Sequence, residues 1–430
     1  MRGVALYLMM AVFIAIVGMT QSWNTALAIL NMCLISAVIA LGVNIQWGYA
    51  GLFNIGIMGF VALGGLGAVL VSMPPVTAAW TPSGGLRILA ALALGVATIW
   101  AAIALRRRLP SGAPRVLGML GVLILGFFAY RWLLDPAVAV VEANNPTREG
   151  YLGGLGLPIL LGWPVGALLA AGAAWVVGKT ALGLRSDYLA IATLGIAEII
   201  IAVLKNEDWL TRGVKNVIGL PRPVPYEVNL QQTPWFQGFA QSWGFDLAAG
   251  AAIFVKLCYF GLFATVLVVL IVLVERALHS PWGRMMRAIR DNETAAEAMG
   301  KDVTRRHLQI FILGSAVCGL GGAMLTTLDS QLTPSSYIPL RHTFLIWVMV
   351  IVGGSGNNFG AILGGMLIWF FWVEAEPIGK WVMDVITMPM PDGWLKAHLL
   401  DSVQHMRLLA MGLILLLVLR FAPRGLIPEK

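Results

Sequence analysis

Long apolar runs separated by short polar segments recur along the whole chain. Each run has about the 20 residues that a helix needs to cross a hydrocarbon core of roughly 30 Å. The pattern therefore predicts an all-α polytopic membrane protein with about ten spanning helices and a single transmembrane domain over residues 1–430. The predicted spans are 3–20, 25–46, 51–72, 87–105, 115–134, 157–178, 187–205, 251–274, 307–328 and 404–421.

A further apolar run, 343–373, is too long for an ordinary span, and glycines and asparagines interrupt it at 353–358. This pattern predicts a re-entrant pair of half-helices, which is tolerated where it faces protein or a cavity. Gly356, Gly360 and Gly364 recur at every fourth position of the second half. Such spacing favours close helix packing, with direct contact to a solute as the other interpretation.

Clusters of Lys and Arg between spans mark cytoplasmic segments. With the N-terminus inside and 343–373 re-entrant, the basic clusters all fall on the cytoplasmic side. These clusters are 106–108, 179–185, 276–306 and 420–430. The largest outward loop is 206–250, which contains three tryptophans and is either a docking surface or an interfacial aromatic belt.

Composition supports a membrane protein, because 59% of the residues are hydrophobic and only 12% are charged. Soluble domains carry about 25% charged residues. The net charge of +8 is explained by cytoplasmic loops and anionic lipid rather than by nucleic-acid binding. The three cysteines lie in or beside apolar runs, which favours packing roles over a disulfide or metal site.

The segment 280–308 is a charged island between two apolar runs. Asn292 and Asp302 are suitable N-caps, so the segment is predicted to form short helices within the cytoplasmic loop 276–306. A helical element with small residues on its surface could dock on a motor protein. The alternative is a solvated loop anchored by its charge. The candidate docking residues are Arg284, Arg287, Ala295, Ala296 and Gly300.

Polar residues inside predicted spans are candidates for a solute path. Glu198 lies near the middle of an apolar span, so we expect it either to face the bundle interior with a partner or to be protonated. A structural hydrogen bond and a transport role are both open for it. Asn44, Tyr49 and Asn54 surround a glycine-rich helix break, where backbone and amide groups could contact a polar solute. Thr193 lies one turn and a half before Glu198 and completes this set.

Gly178-Lys179-Thr180 resembles the end of a phosphate-binding loop, but Gly172 is one residue too far from it and no strand precedes it. The sequence therefore predicts no ATP site, no catalytic residue and no cofactor in this chain. If transport uses ATP, another chain must hydrolyse it.

Four stretches together resemble the M-type subunit of the branched-chain amino acid ABC transporter permeases. They are WGYAGLFNIGIMGF at 47–60, LRSDYLAIATLGIAEII at 184–200, SPWGRMMRAIRDNETAAEAMG at 280–300 and VIVGGSGNNFGAILGG at 350–365. Their order matches the family. The region 73–156 carries little of the pattern, and its two spans look like an insertion.

The resemblance implies a permease of the bacterial cytoplasmic (inner) membrane, with partners that perform the remaining steps. These partners are a homologous second permease, two ABC ATPase subunits that carry ATP and Mg, and an external solute-binding protein. The coupling element of the family falls on 280–306. Its usual Glu-Ala-Ala triplet is incomplete here, because Thr294 stands where the acid belongs and Glu293 lies one position earlier.

The predicted function is therefore import of branched-chain or related amino acids by alternating access, driven by ATP hydrolysis in the partners. Nothing in the spans separates amino acids from urea or short amides. An ion-coupled secondary transporter or a passive channel for a small polar solute are the alternatives, since Glu198 and the broken helices are compatible with them.

Overall fold

A computed structural model describes residues 2–145 and 149–429, and these segments are almost entirely helical. The helices are α1 (Arg2–Thr20), α2 (Trp23–Ala50), α3 (Ile57–Ser72), α4 (Gly85–Arg108), α5 (Ala113–Glu142), α6 (Ile159–Ala181), α7 (Ser186–Asn206), α8 (Asp208–Thr211), α9 (Glu227–Gln232), α10 (Pro234–Trp243), α11 (Leu247–His279), α12 (Pro281–Asp291), α13 (Glu293–Ala298), α14 (Val303–Asp329), α15 (Pro339–Gly353), α16 (Asn358–Thr387), α17 (Trp394–Asp401) and α18 (Met406–Phe421). Two short strands, β1 (Val217–Ile218) and β2 (Gln331–Leu332), pair antiparallel.

The predicted polytopic all-α fold is confirmed. Ten helical segments in the described ranges are long and apolar enough to cross a membrane, and nine of them coincide with predicted spans. The tenth is α16, which comes from the interrupted run. The predicted span 51–72 is shorter than expected, because helix α3 begins only at Ile57.

Residues 51–56 form a non-helical break between α2 and α3, in place of the predicted start of a span. Gly51 ends α2 in the left-handed region, at φ +69°. The freed backbone amides find side-chain partners, since Ile55 N donates to Thr193 Oγ1 at 3.1 Å and Gly56 N donates to Asn54 Oδ1 at 2.8 Å. These bonds allow the helix to break inside an apolar bundle.

The interrupted run folds as two helices with a turn at 354–357. The expectation that both arms are half-helices is wrong for the second arm. Helix α15 has 15 residues, but α16 has 30 and is therefore about 45 Å long at 1.5 Å per residue. Whether the pair is re-entrant in a membrane stays a prediction.

The turn at 354–357 lies at the same end of the bundle as α12 and the C-terminal tail, and we call this the basic end. At the opposite end, Gln21 Nε2 donates to Glu374 Oε2 at 2.8 Å, so α16 runs the whole length of the bundle. The strand pair β1–β2 also lies at that opposite end, in the loops that follow α7 and α14.

The core is built around α14, which packs against α2, α3 and α6, while α16 packs against α2 and α15. Small residues permit this approach: a side chain at Gly322 would overlap the backbone of Val61 on α3. Helices α4 and α5 form a peripheral hairpin within 73–156, of which residues 146–148 lie outside the described residues. That the hairpin is an insertion stays a prediction.

Candidate functional site

The segment 280–306 is helical, as predicted, and both predicted caps are present. Asn292 Oδ1 accepts from the Ala295 amide at 3.0 Å and begins α13. Asp302 Oδ1 accepts from the Arg305 amide at 2.9 Å and begins α14. The caps satisfy amides that a helix start leaves unpaired, so the segment has a defined shape.

The surface of this segment differs from the predicted one at Ala296. This residue is only 9% exposed and packs inward, because α13 needs one apolar contact to hold it against the bundle. Ala295 and Gly300 are exposed, as expected of docking residues. The most prominent apolar group is Met299, which is 79% exposed at the tip. Sequence reasoning missed it, and its position just before Gly300 was the available signal.

Arg284 and Arg287, both predicted to contact a motor protein, also bind the end of α11. Arg284 Nη1 donates to the His279 carbonyl at 3.2 Å, and Arg287 Nη2 donates to the Leu278 carbonyl at 3.4 Å. Cationic side chains stabilise the carbonyl end of a helix. These two residues therefore fix the angle between α11 and α12, and Arg284 remains exposed.

A third basic residue of α12, Arg290, joins this helix to the core and was not a candidate site residue in the sequence. Its Nη1 donates to Glu429 Oε2 at 2.9 Å and also to the Gly48 carbonyl at the end of α2. Burial disfavours its charge, but Glu429 and Asp291 outweigh this effect and raise the pKa of Arg290. One guanidinium thus connects α12, α2 and the C-terminal tail.

The C-terminal tail lies across the α15–α16 turn. The Leu426 amide donates to the Val352 carbonyl and the Ile427 amide to the Gly353 carbonyl, both at 2.9 Å. A polar cavity of about 290 Å³ lies beside this junction, between α2, α11, α12 and the turn. A movement of α12 would therefore act directly on the turn and on the tail.

We expect Arg290→Gln to loosen the tail, because Glu429 would lose its ion pair. The pair is partly exposed and screened by water, so the loss of folding free energy should be about 1 kcal/mol. Hydrogen exchange at the Leu426 and Ile427 amides measures the effect. Arg284→Gln is the matched control, since it removes an arginine of the same helix that does not touch the tail. Equal protection of these amides from hydrogen exchange in both variants would contradict the proposed link between Arg290 and the tail.

The predicted path residues Asn44, Asn54 and Thr193 are buried and already bonded within the chain. Asn44 Nδ2 donates to Asn358 Oδ1 at 3.0 Å, and Asn44 Oδ1 accepts from the Gly356 amide at 2.9 Å. Asn54 Nδ2 donates to Gln46 Oε1 at 2.8 Å. In this conformation these groups hold the helix breaks together and do not face an open path.

Tyr49 is 7% exposed and differs from the other path candidates, because it borders the polar cavity at the basic end. Glu275 lies in the same cavity and accepts from Asn358 Nδ2 at 2.9 Å. The cavity is therefore bordered by the carboxylate of Glu275, which the sequence did not single out because it lies near the end of α11.

Glu198 does not face the interior of this bundle, contrary to expectation. Its side chain lies on the exposed face of α7 and makes no hydrogen bond or ion pair with any residue that the structure describes. The hypothesis of a structural hydrogen bond inside the chain is therefore wrong. On insertion scales, placing an acidic residue at the centre of a spanning helix costs about 2.5–3.5 kcal/mol.

Two of the three predicted packing glycines lie on α16. Gly360 faces the carbonyl oxygens of Gly353 and Ile427, each 2.8 Å from where a Cβ would lie. At Gly364 a side chain would overlap the Met349 carbonyl. Gly356 instead belongs to the turn, at φ +80°, so its predicted place in the helix is wrong.

Comparison with known proteins extends these observations. A family model described as branched-chain amino acid transport system / permease component matches residues 116–419. The chain is 28% identical over 257 residues to the high-affinity branched-chain amino acid transport system permease protein LivM of Escherichia coli. The alignment covers 59% of this chain and 57% of the relative. The aligned part thus spans less than two thirds of that relative.

Two further relatives show the breadth of the similarity. The chain is 25% identical over 328 residues to a probable branched-chain amino acid transport permease protein LivM of Methanocaldococcus jannaschii, covering 74% of this chain and 83% of the relative. It is 24% identical over 258 residues to the fructose import permease protein FrcC of Rhizobium meliloti, covering 59% of each. No solved structure matches the chain.

Proposed function

Because this chain belongs to the family of branched-chain amino acid transport permeases, we propose that it is the membrane-spanning subunit of an ATP-driven importer. It is a multi-pass protein of the inner membrane. Its proposed solutes are branched-chain or related amino acids, and its proposed mechanism is alternating access. A homologous second permease, two ABC ATPases and an external solute-binding protein complete the transporter.

The observation that carries this proposal is the set of hydrogen bonds by which α12, the helix that precedes α13, is joined to α2 and to the C-terminal tail. The basic end is cytoplasmic in this proposal, which places Met299 and Gly300 where an ATPase can reach them. Helices α12 and α13 transmit its movement, and Arg290 of α12 passes that movement to the C-terminal tail that lies across the α15–α16 turn. The chain itself then needs no nucleotide site, because ATP and Mg are bound by the partners.

The solute is the less constrained part of the proposal. Two relatives are named for branched-chain amino acids and one for fructose, so a shared fold serves different solutes. The bonded state of Asn44, Asn54 and Thr193 leaves few free polar groups to select a solute. We therefore assign most of the selection to the solute-binding protein.

The test is uptake by the complete complex in proteoliposomes. The permease is co-expressed with its partner subunits, and ATPase subunits are expected to co-purify with it. Radiolabelled leucine should accumulate only with ATP on the ATPase side and the binding protein on the other side. Uptake that needs an ion gradient instead of ATP would indicate a secondary transporter, and downhill flux alone would indicate a channel.

A further inference from the structure

A row of exposed residues runs the length of α7. It consists of Tyr188, Ile191, Gly195, Glu198 and Ala202, and we call it the α7 seam. The residues are spaced by alternating steps of three and four, which keeps them on one face of the helix. This spacing is typical of a helix that packs along a nearly parallel partner.

The opposite face of α7 already has its partners. Residues such as Ala197 and Ile201 are buried, and the helix packs there against α3 and α6. The seam is therefore a second face of the helix, and no part of the described chain covers it. Ile191 is 68% exposed and Tyr188 is 62% exposed.

Lipid is a poor cover for the seam, because Glu198 lies at its centre. The residue is the thirteenth of the 21 in α7, so it lies about 18 Å from the helix start and about 12 Å from its end. This is near the middle of a hydrocarbon core, where a carboxylate needs a partner or water.

The surroundings of Glu198 also suit another helix better than lipid. Gly195 and Ala202 flank it about one turn away on each side, and small residues allow two helix backbones to approach closely. A side chain built at Gly195 would meet nothing within 4 Å, so packing within this chain does not explain the glycine. This uncrowded glycine leaves room for the backbone of a partner helix outside the chain.

We propose that the α7 seam packs against the second permease subunit and that Glu198 borders a water-filled solute path between the two chains. This inference rests on the proposed function, which already requires a second permease. Water in the path would hydrate the carboxylate, which has no partner among the described residues. The carboxylate can then attract the ammonium group that every amino-acid solute carries.

A photo-reactive phenylalanine analogue at Ile191 tests the packing in the intact, ATP-competent complex. The matched control is the same analogue at Leu168, which is 69% exposed and belongs to another helix, α6. We expect a crosslink to a permease subunit from position 191 and none from position 168. Equal crosslinking from both positions, or none from position 191, would contradict the packing of the α7 seam against the second permease. The proposed function is tested separately, by ATP-driven uptake.

Modification of cysteines tests the water-filled path. Glu198→Cys should react with a charged, water-soluble thiol reagent in the assembled complex, whereas Ile199→Cys, one position off the seam, should not. Cys33 and Cys318 are buried and Cys258 is half-buried, so labelling of the otherwise unmodified protein, which retains all three, gives the background to subtract. If position 198 is as inert as position 199, a dry contact or lipid covers Glu198, and the proposal fails even when wild-type uptake is normal.

Uptake by Glu198→Gln, which keeps the size of the side chain, completes the test. Loss of the charge should raise the solute concentration needed for half-maximal uptake while the complex still assembles. Unchanged uptake in an assembled Glu198→Gln complex would remove the role of the carboxylate. The crosslinking result would then stand alone as evidence for the interface.

Discussion

Gly364→Ala is expected to prevent normal assembly of the bundle. The added Cβ would overlap the carbonyl oxygen of Met349 on α15 and come within 2.8 Å of the Gly353 Cα. Both obstacles are backbone atoms, so rotation of a side chain cannot relieve the overlap. Overpacking costs about 1–3 kcal/mol and sometimes more, which is a large part of the stability of a typical domain.

The measurement is the amount of monodisperse protein extracted from the membrane, followed by its thermal unfolding in detergent. Gly172→Ala on α6 is the matched control, because its Cβ would meet nothing within 4 Å. We expect Gly364→Ala to lose most of the folded protein and Gly172→Ala to lose none. A well-folded Gly364→Ala variant with altered solute preference would favour solute contact over packing.

The apolar runs predicted the fold well because a bilayer imposes one simple condition, a helix with about 20 apolar residues. The glycine run at 353–358 likewise predicted the helix break, and Asn292 and Asp302 predicted the helix starts. Each of these signals is local in the sequence. None of them depends on which neighbour a helix face meets.

The direction in which a side chain points was harder to predict. A spanning helix is apolar on nearly every face, so its pattern carries little information about its inner side. Glu198 was therefore placed inside and lies outside. Asn44 and Asn54 were expected to line a path and instead bind the backbone and amides of neighbouring segments.

Long-range contacts of charged residues were also invisible in the sequence. Arg290 lies among several arginines of the same loop, and its partner Glu429 is 139 residues away. Only the three-dimensional structure brings the two together. The same holds for the tail, whose amides pair with the carbonyl groups at the end of α15.

Gly300→Trp is expected to abolish coupling between the proposed ATPase partner and this chain. Gly300 lies at the exposed tip beside Met299, and a side chain there would meet nothing within 4 Å in the isolated chain. A large ring would therefore clash with nothing in the isolated chain, but it would obstruct a surface that docks on this tip. Loss of one central interface contact costs about 2 kcal/mol or more, which is roughly a 30-fold weaker association.

Backbone strain must be separated from this effect, because Gly300 has φ +75°. Asparagine tolerates that region better than other side chains, and alanine adds strain without bulk. We therefore expect leucine uptake and stimulated ATP hydrolysis to fall together in Gly300→Trp and to remain largely intact in Gly300→Asn. Met299→Glu, which places a charge on the same tip without strain, should reproduce the loss. If Gly300→Ala and Gly300→Trp are equally impaired while Met299→Glu is active, the glycine serves only the turn, and the ATPase docks elsewhere.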